Sequence, residues 1–130
     1  MLLFNYDFVK QNAKLLFVVE GVFDVLRIKL HGFDAVGYLG SYISEYQAEM
    51  ISEKNPKEVV FLPDSDVSTK IFERNFKTLE DHCEDSIVSQ IKLKGGDPDD
   101  IKSKRKFLNI IKGRKKIRTI FNQQKSLKLF

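Results

Sequence analysis

Residues 59–66 read VVFLPDSD, a short apolar run that ends in two aspartates, Asp64 and Asp66. An uninterrupted apolar run of this length predicts a buried strand of a mainly parallel sheet, because such strands are covered on both faces. In open α/β sheets, ligands bind at the carboxyl ends of the strands. Two carboxylates at that edge offer the hard oxygen ligands that Mg²⁺ or Mn²⁺ prefers. We therefore expect a divalent metal there.

Further acids follow two other predicted strands. Glu20 comes directly after the apolar run LLFVV, and Asp24 stands four residues later. Asp97 and Asp99 follow the fourth predicted strand. The carboxyl ends of parallel strands converge on one edge, so all six acids can meet there, and a divalent cation would relieve their mutual repulsion. For each cluster taken singly, the alternative explanation is that turns favour Asp and Gly.

Apolar runs alternate with amphipathic stretches, which is typical of βα units on a mainly parallel sheet flanked by helices. About four strands are predicted, at 15–19, 35–39, 59–62 and 87–93. Helices are predicted at 22–31, from Ser44 to about 55, after Asp66, and around 107–111. The sequence thus predicts an α/β fold.

Three local signals predict how these helices begin and end. Ser44 with Gln47 three residues later has the spacing of a capping box. Gly32 suits the left-handed position after the helix at 22–31. We expect Asp99 or Asp100 to cap the final helix, since aspartate is a favoured residue at that position.

The composition indicates one globular domain. A chain of 130 residues is long enough for a single core and not for two. No run approaches the roughly 18 apolar residues of a membrane span, and the N-terminus lacks the features of a secretory signal. One cysteine, Cys83, fits a reducing compartment. We therefore expect a cytoplasmic location and no membrane partner.

Charge is distributed unevenly along the chain. Residues 101–130 contain eleven Lys or Arg and no acid, whereas the other hundred residues have a balance of −7. A basic tail on an acidic body predicts a polyanionic partner, DNA or RNA, although the same side chains would also solvate a last helix. The candidate nucleic-acid-binding residues are Lys102, Lys104, Arg105, Lys106, Lys112, Arg114, Lys115, Lys116 and Arg118.

Three motifs occur in the order and spacing of a known family. They are VVEGVFDVL at 18–26, LPDSD at 62–66 and GGDPDD at 95–100, with Leu39-Gly40 and Gln47 between the first two. Together they resemble the Toprim domain, and most closely that of the bacterial and phage DnaG-type DNA primases. The resemblance covers about 15–101. It implies a Toprim, Rossmann-like fold, which we assign to residues 1–112, with 113–130 as a basic C-terminal extension.

The resemblance also implies roles for the acids. Glu20, Asp64 and Asp66 correspond to the catalytic acids, and Asp24, Asp97 and Asp99 to acids that complete the metal cluster. In the family, two Mg²⁺ or Mn²⁺ ions act on a phosphodiester. This chain departs from the family pattern within its second motif and directly after it. Ser65 stands where glycine is common, and Val67-Ser68-Thr69 stands where Ala-Gly is frequent.

Three functions fit these features. The first is the metal-binding catalytic part of a DNA primase split over more than one polypeptide, encoded by a phage or mobile element and acting with a separate primase subunit. The second is a stand-alone, metal-dependent Toprim nuclease, since hydrolysis requires only the metals and a water. The third is a non-catalytic, nucleic-acid-binding replication factor that has kept the acidic site.

Overall fold

The computed structural model describes residues 2–116, which form an α/β fold with a mixed sheet of five strands. The strands are β1 (Leu15–Val19), β2 (Asp34–Gly37), β3 (Glu58–Phe61), β4 (Ile87–Gln90) and β5 (Lys115–Lys116). The helices are α1 (Val22–Leu30), α2 (Glu45–Glu53), α3 (Thr69–His82) and α4 (Lys104–Lys112). Two 3₁₀ turns, Tyr6–Phe8 and Pro98–Asp100, complete the regular elements of these residues.

The sheet has the order β2-β1-β3-β4-β5. The first four strands are parallel, and in the shared register Val18 pairs with both Val36 and Phe61. β5 runs antiparallel to β4. The predicted α/β fold with a mainly parallel sheet is confirmed. The fifth strand was not predicted because its two lysines have none of the apolar pattern of a strand.

Helices cover both faces of the sheet, which is why its central strands are apolar without interruption. On one face, α2 and α3 bury side chains such as Ile51 and Phe76 against Val18 and Val59. On the other face, α1 and α4 bury Ile28, Phe107 and their neighbours against the alternate strand residues. All four helices therefore flank a sheet whose carboxyl edge remains available for a site.

Two predicted helix ends are confirmed. Ser44 Oγ accepts a hydrogen bond from the Gln47 N–H at 3.0 Å, and Gln47 Oε1 accepts one from the Ser44 N–H at 3.0 Å. Gly32 follows α1 with φ +93°, a conformation that favours glycine. Gln47 is fully buried, and its side-chain amide also donates to the Tyr38 carbonyl at 3.1 Å. The capping box therefore also fixes the loop between β2 and α2.

The predicted cap of the last helix is wrong. Ser103 caps α4, and its Oγ accepts a hydrogen bond from the Lys106 N–H at 3.2 Å. Neither Asp99 nor Asp100 does so, because the turn Pro98–Asp100 intervenes before the helix. Asp100 instead forms a reciprocal capping box with Asp97 at that turn.

Three strands also end earlier than predicted, β3 by a single residue. β2 stops at Gly37 because Leu39 adopts a left-handed conformation, with φ +52°, that a strand does not accommodate. β4 stops at Gln90, opposite Phe61, the last residue of its partner β3. The residues after β4 therefore belong to the loop that carries Asp97, and those after β2 belong to the loop that leads to α2.

The predicted boundary after residue 112 remains a prediction. Residues 115 and 116 of the predicted extension pair with β4, while 117–130, and with them Arg118, lie outside the described residues. Within 2–116, no helix is both long enough and apolar enough to cross a bilayer.

Candidate metal centre

Three of the predicted acids come together at the carboxyl edge of the sheet. One carboxylate oxygen of each of Asp24, Asp64 and Asp97 lies within 4.8 Å of the other two. The three belong to different segments, since Asp24 is on α1, Asp64 follows β3, and Asp97 precedes the turn Pro98–Asp100. Asp24 is buried, and the other two are half-buried. We call these residues the acidic triad.

Backbone hydrogen bonds between the loops hold the acidic triad in place. The Ser65 N–H donates to the Gly96 carbonyl at 2.9 Å, which ties the loop of Asp64 to the loop of Asp97. The Asp99 N–H donates to Asp24 Oδ1 at 2.9 Å, which ties α1 to the same second loop. The carboxylates therefore meet because residues adjacent to them are joined directly, and not only because their strands are parallel.

The loop of Asp97 has its own local restraint. Asp97 Oδ1 accepts from the Asp100 N–H at 3.2 Å, and Asp100 Oδ2 accepts from the Asp97 N–H at 2.9 Å. Gly96 adopts φ +72°, and a Cβ there would overlap the Asp100 carboxylate. This position consequently requires glycine for both its conformation and its lack of a side chain.

The electrostatics of Asp64 favour a proton or a cation. Burial, followed by the charges of Asp24, Glu20, Asp97 and Asp66, raises the pKa of Asp64 to about 6. Its Oδ1 is buried and accepts no hydrogen bond from any residue among 2–116. A buried oxygen without a partner costs free energy, and a bound cation would remove that cost.

Two neighbouring acids are perturbed in the same direction. Burial, and then the charge of Asp66, raises the pKa of Glu20. Burial also raises the pKa of Asp24, while the backbone hydrogen bond from Asp99 opposes that effect. Glu20 is half-buried and Asp66 is exposed. Both therefore belong to the electrostatic environment of the acidic triad.

Asp99 is placed differently from the other predicted ligands. Its carboxylate pairs with Arg27 Nε at 3.3 Å and with Lys102 Nζ at 3.8 Å. Its backbone rather than its side chain contacts Asp24. Arg27 was missed by the sequence analysis, although its position three residues after Asp24 puts both on one face of α1.

The predicted basic residues do not form one surface. Lys102 pairs with Asp99 near the acidic triad. Arg114 forms a two-pronged ion pair with Glu58, the first residue of β3, and Lys116 Nζ lies 3.8 Å from the same carboxylate. Other members are exposed, namely Lys104, Arg105, Lys106, Lys112 and Lys115. Arg114 and Lys116 are thus paired at the opposite end of β3 from Asp64.

A cavity of about 190 Å³ opens beside Asp64. Its lining includes Ser65, Val67, Phe72 and Lys92, and Lys92 Nζ lies 4.9 Å from the centre of the Phe72 ring. Ser65 and Val67 are positions at which this sequence departs from the family pattern. Their side chains therefore line the space next to the acidic triad.

The donor set fits a divalent cation. Carboxylate oxygens are the ligands that Mg²⁺ and Mn²⁺ prefer, and the acidic triad offers three from separate side chains. A cation bound to Asp64 Oδ1 would give this buried oxygen the partner that it lacks among residues 2–116. The acidic triad is therefore suited to divalent metal binding.

The fold is similar to solved primase structures. A structure of the zinc-binding and RNA polymerase domains of the Aquifex aeolicus primase matches 88% of this chain and 30% of its own, with 26% identity and a TM-score of 0.72. A DNA primase domain from Pseudomonas aeruginosa matches 90% of this chain and 39% of its own, with 22% identity and a TM-score of 0.69. A DnaG primase catalytic domain bound to single-stranded DNA matches 92% of this chain and 39% of its own, with 21% identity and a TM-score of 0.64.

This chain spans 30 to 39% of the length of those structures. No family model matches the sequence, and no curated protein matches it by sequence. The structural matches show a Toprim fold close to that of the DnaG-type primases, which confirms the resemblance read from the three motifs.

Proposed function

We propose that this protein binds divalent metal through its acidic cluster for phosphodiester chemistry in DNA replication, as the metal-binding catalytic part of a primase. The observation that carries the proposal is the acidic triad, in which one carboxylate oxygen of each residue lies within 4.8 Å of the other two and Asp64 Oδ1 is buried without a hydrogen-bond partner among residues 2–116. Without a cation, these acids are costly to hold together. Such a cost is characteristic of functional sites.

Asp24, Asp64 and Asp97 would hold the first ion, and Glu20 and Asp66 are the nearest candidates to complete a two-ion site. Mg²⁺ or Mn²⁺ bound there would stabilise the attacking and leaving oxygens of a phosphodiester displacement. Asp99 is proposed as a ligand on the family resemblance alone. In the structure, its carboxylate pairs with Arg27 and Lys102, which makes it a group that positions the loop around Asp24.

The primase proposal requires parts beyond these 130 residues. The solved primase structures are more than twice as long as this chain, and one of them includes a zinc-binding domain. We propose that a separate polypeptide supplies these parts, in a replication system of phage or mobile-element origin. The exposed lysines and arginine of α4 are proposed to contact template or product phosphates, which predicts binding that weakens as salt rises.

An activity assay tests the catalytic proposal. The protein is incubated with Mn²⁺ or Mg²⁺, single-stranded DNA and ribonucleotides, with and without a polypeptide that carries the zinc-binding and basic primase domains. Primer synthesis that requires both chains is the expected result. Asp64→Asn and Glu20→Gln should abolish it. Asp85→Asn, which changes an exposed acid in the turn before β4, is the matched control and should leave synthesis unchanged.

Other outcomes of this assay would overturn the primase proposal. Metal-dependent cleavage by the chain alone, lost in Asp64→Asn, would identify a nuclease. Strand binding that persists in both variants without synthesis or cleavage would identify a non-catalytic binding protein. Failure of wild-type protein to bind Mn²⁺ in calorimetry would overturn the metal site itself.

A further inference from the structure

An exposed aromatic side chain stands on the loop between β2 and α2, at the same edge of the sheet as the acidic triad. Tyr42 is 47% exposed, and the Arg74 guanidinium carbon lies 4.5 Å from the centre of its ring. Arg74 projects from the second turn of α3, the helix that follows Asp66. The guanidinium thus sits against Tyr42 as a cation–π pair that orients the ring.

The backbone on both sides of Tyr42 is fixed by one buried side chain. Asn75 Oδ1 accepts from the Ile43 N–H at 2.9 Å, and Asn75 Nδ2 donates to the Ser41 carbonyl at 3.0 Å. Asn75 is fully buried on α3, so this clamp is part of the folded core. An exposed ring on a fixed loop loses little conformational entropy when it binds a partner.

The start of the same loop is joined to the acidic site. The Leu39 N–H donates to the Glu20 carbonyl at 2.8 Å, and Leu39 adopts its left-handed conformation at this point. Strain in a non-glycine residue persists only where the surrounding structure enforces it. Tyr42 therefore follows, three residues further along a restrained loop, a residue that is hydrogen-bonded to Glu20, one of the site acids.

A planar aromatic ring next to a guanidinium is a chemistry suited to nucleobases. Bases of a single strand stack on aromatic side chains whatever their sequence, and arginine adds a cation–π contribution. Lys70 lies one helical turn before Arg74 on α3 and is exposed, so the two cations share one face of the helix. Lys70 is thereby available for a phosphate while the ring takes a base.

We propose that Tyr42 and Arg74 form a stacking platform for a base of single-stranded nucleic acid next to the acidic site. The platform deepens the proposed function, on which it rests for the identity of the partner, and it requires no metal. Tyr42 makes the base contact, Arg74 holds the ring, and Lys70 contacts a phosphate. The strand would thereby be guided along the edge of the sheet that carries the carboxylates.

A fluorescence experiment tests the contact itself. The chain contains no tryptophan, so Tyr42→Trp introduces a single reporter on the platform. A single-stranded oligothymidylate of about 12 nucleotides, long enough for one such site, should quench this tryptophan in EDTA. A strand of equal length with abasic sites should not, because it offers phosphates without bases. Equal quenching by the abasic strand, or by free thymidine monophosphate at the same concentration, would overturn a base-stacking site for a strand.

Affinity measurements with a labelled oligothymidylate, again in EDTA at low salt, supply the second test. Tyr42→Ala should weaken binding about tenfold, since stacking of one base is worth about 1–3 kcal/mol. Tyr42→Phe should bind as wild type does. Tyr46→Ala, which removes a still more exposed tyrosine from the first turn of α2, is the matched control and should have no effect. Equal loss in both alanine variants, or no wild-type binding, would contradict the platform.

Two further variants separate this proposal from the metal site. Lys70→Gln should reduce the salt dependence of binding, whereas Tyr42→Ala should leave the salt slope unchanged, because only the former removes a phosphate contact. Tyr42→Ala should keep wild-type Mn²⁺ affinity, and it should weaken strand binding in EDTA about tenfold whether or not Asp64→Asn is also present. Failure of the wild-type protein to bind Mn²⁺ would thus count only against the proposed function. Wild-type strand affinity in Tyr42→Ala would count only against the platform.

Discussion

The two ends of β3 carry carboxylates in opposite conditions. At the start of the strand, Glu58 is 4% exposed and receives hydrogen bonds from Arg114 and Ser89, with Lys116 nearby. Burial acts to raise the pKa of Glu58, but these partners outweigh it and lower the pKa below its ordinary value. Beyond the other end, Asp64 has a buried oxygen without a partner, and its pKa is raised to about 6.

The difference shows how one strand separates stability from function. A buried carboxylate with cationic and hydrogen-bonding partners supports the fold, whereas one surrounded by other carboxylates holds repulsion that a ligand can relieve. The same residue chemistry therefore predicts opposite responses to mutation, to pH and to metal at the two ends of β3.

The largest effect is expected when Arg114, the cation that pairs with Glu58 at the start of β3, is removed. Arg114→Ala leaves Glu58 buried without its two-pronged partner and should lower the free energy of unfolding by about 3 to 5 kcal/mol. Urea denaturation at neutral pH measures the loss. Lys115→Ala, which alters the exposed neighbour on β5, should cost less than about 0.5 kcal/mol. An equal decrease in the free energy of unfolding for the two variants would mean that the Arg114–Glu58 ion pair does not stabilise the fold.

The unpaired end should respond in the other direction. Asp64→Asn removes a charge from a repulsive cluster and should raise the free energy of unfolding of metal-free protein by about 1 kcal/mol at pH 8. The same change should weaken Mn²⁺ binding at least tenfold, because the amide oxygen has no net charge. Calorimetry and urea denaturation give the two values. A destabilised apo protein would contradict the repulsive character of the acidic triad.

Asp64 and Glu58 should change the stability of the fold in opposite directions as pH rises. The folded protein holds the Asp64 proton more tightly than the unfolded chain does, because folding raises the pKa of Asp64 from its ordinary 3.8 to about 6. This group therefore favours folding below about pH 4 and does so less as pH rises through about 6. Glu58 has the opposite effect, because folding lowers its pKa below the ordinary value of 4.5. It therefore stabilises the fold at pH values above 4.5, and this stabilisation is lost on acidification.

Metal-free denaturation curves from pH 3 to 8 test these signs. Asp64→Asn should reduce the loss of stability between about pH 4 and 6, to which Glu20 and Asp24 also contribute, and Mg²⁺ should offset that loss in wild-type protein. Glu58→Gln should reduce the loss on the acid side. A profile that Asp64→Asn leaves unchanged would show that this carboxyl does not titrate in that range.

The smallest effect concerns one hydroxyl at the paired end. Ser89 Oγ donates to Glu58 Oε2 at 2.7 Å, so Ser89→Ala should cost about 1 kcal/mol at pH 7 and less at low pH, once Glu58 is protonated. Ser86→Ala removes a hydrogen bond to the Pro56 carbonyl, which does not titrate, and its cost should be equal at both values. Urea denaturation at each pH compares the variants.

The sequence predicted those features that depend on local pattern. The bounds of β1 and the capping box of Ser44 with Gln47 followed from apolar runs and residue spacing. Convergence of acids at one edge followed from the geometry of parallel strands, which requires no knowledge of side-chain contacts. In the structure, that edge brings Asp24, Asp64 and Asp97 within 4.8 Å.

The features that were missed depend on partners distant in sequence. Glu58 and Arg114 are 56 residues apart, and Arg27 and Asp99 are 72 apart. Sequence reveals the charges of Arg114 and Lys116 but not their nearest counter-charge, the Glu58 carboxylate. Asn75, which clamps the loop of Tyr42, has no sequence signal, since its role arises only when α3 packs beside that loop.

The hydrogen bond from the Ser65 N–H to the Gly96 carbonyl has a consequence for solution dynamics. This amide is protected from hydrogen exchange only while the two acid-bearing loops are in contact. Separation of the loops would disperse the carboxylates without unfolding the sheet, so the exchange rate of this single amide reports how often the site is intact. An ion bound between the loops would slow that exchange in proportion to its occupancy.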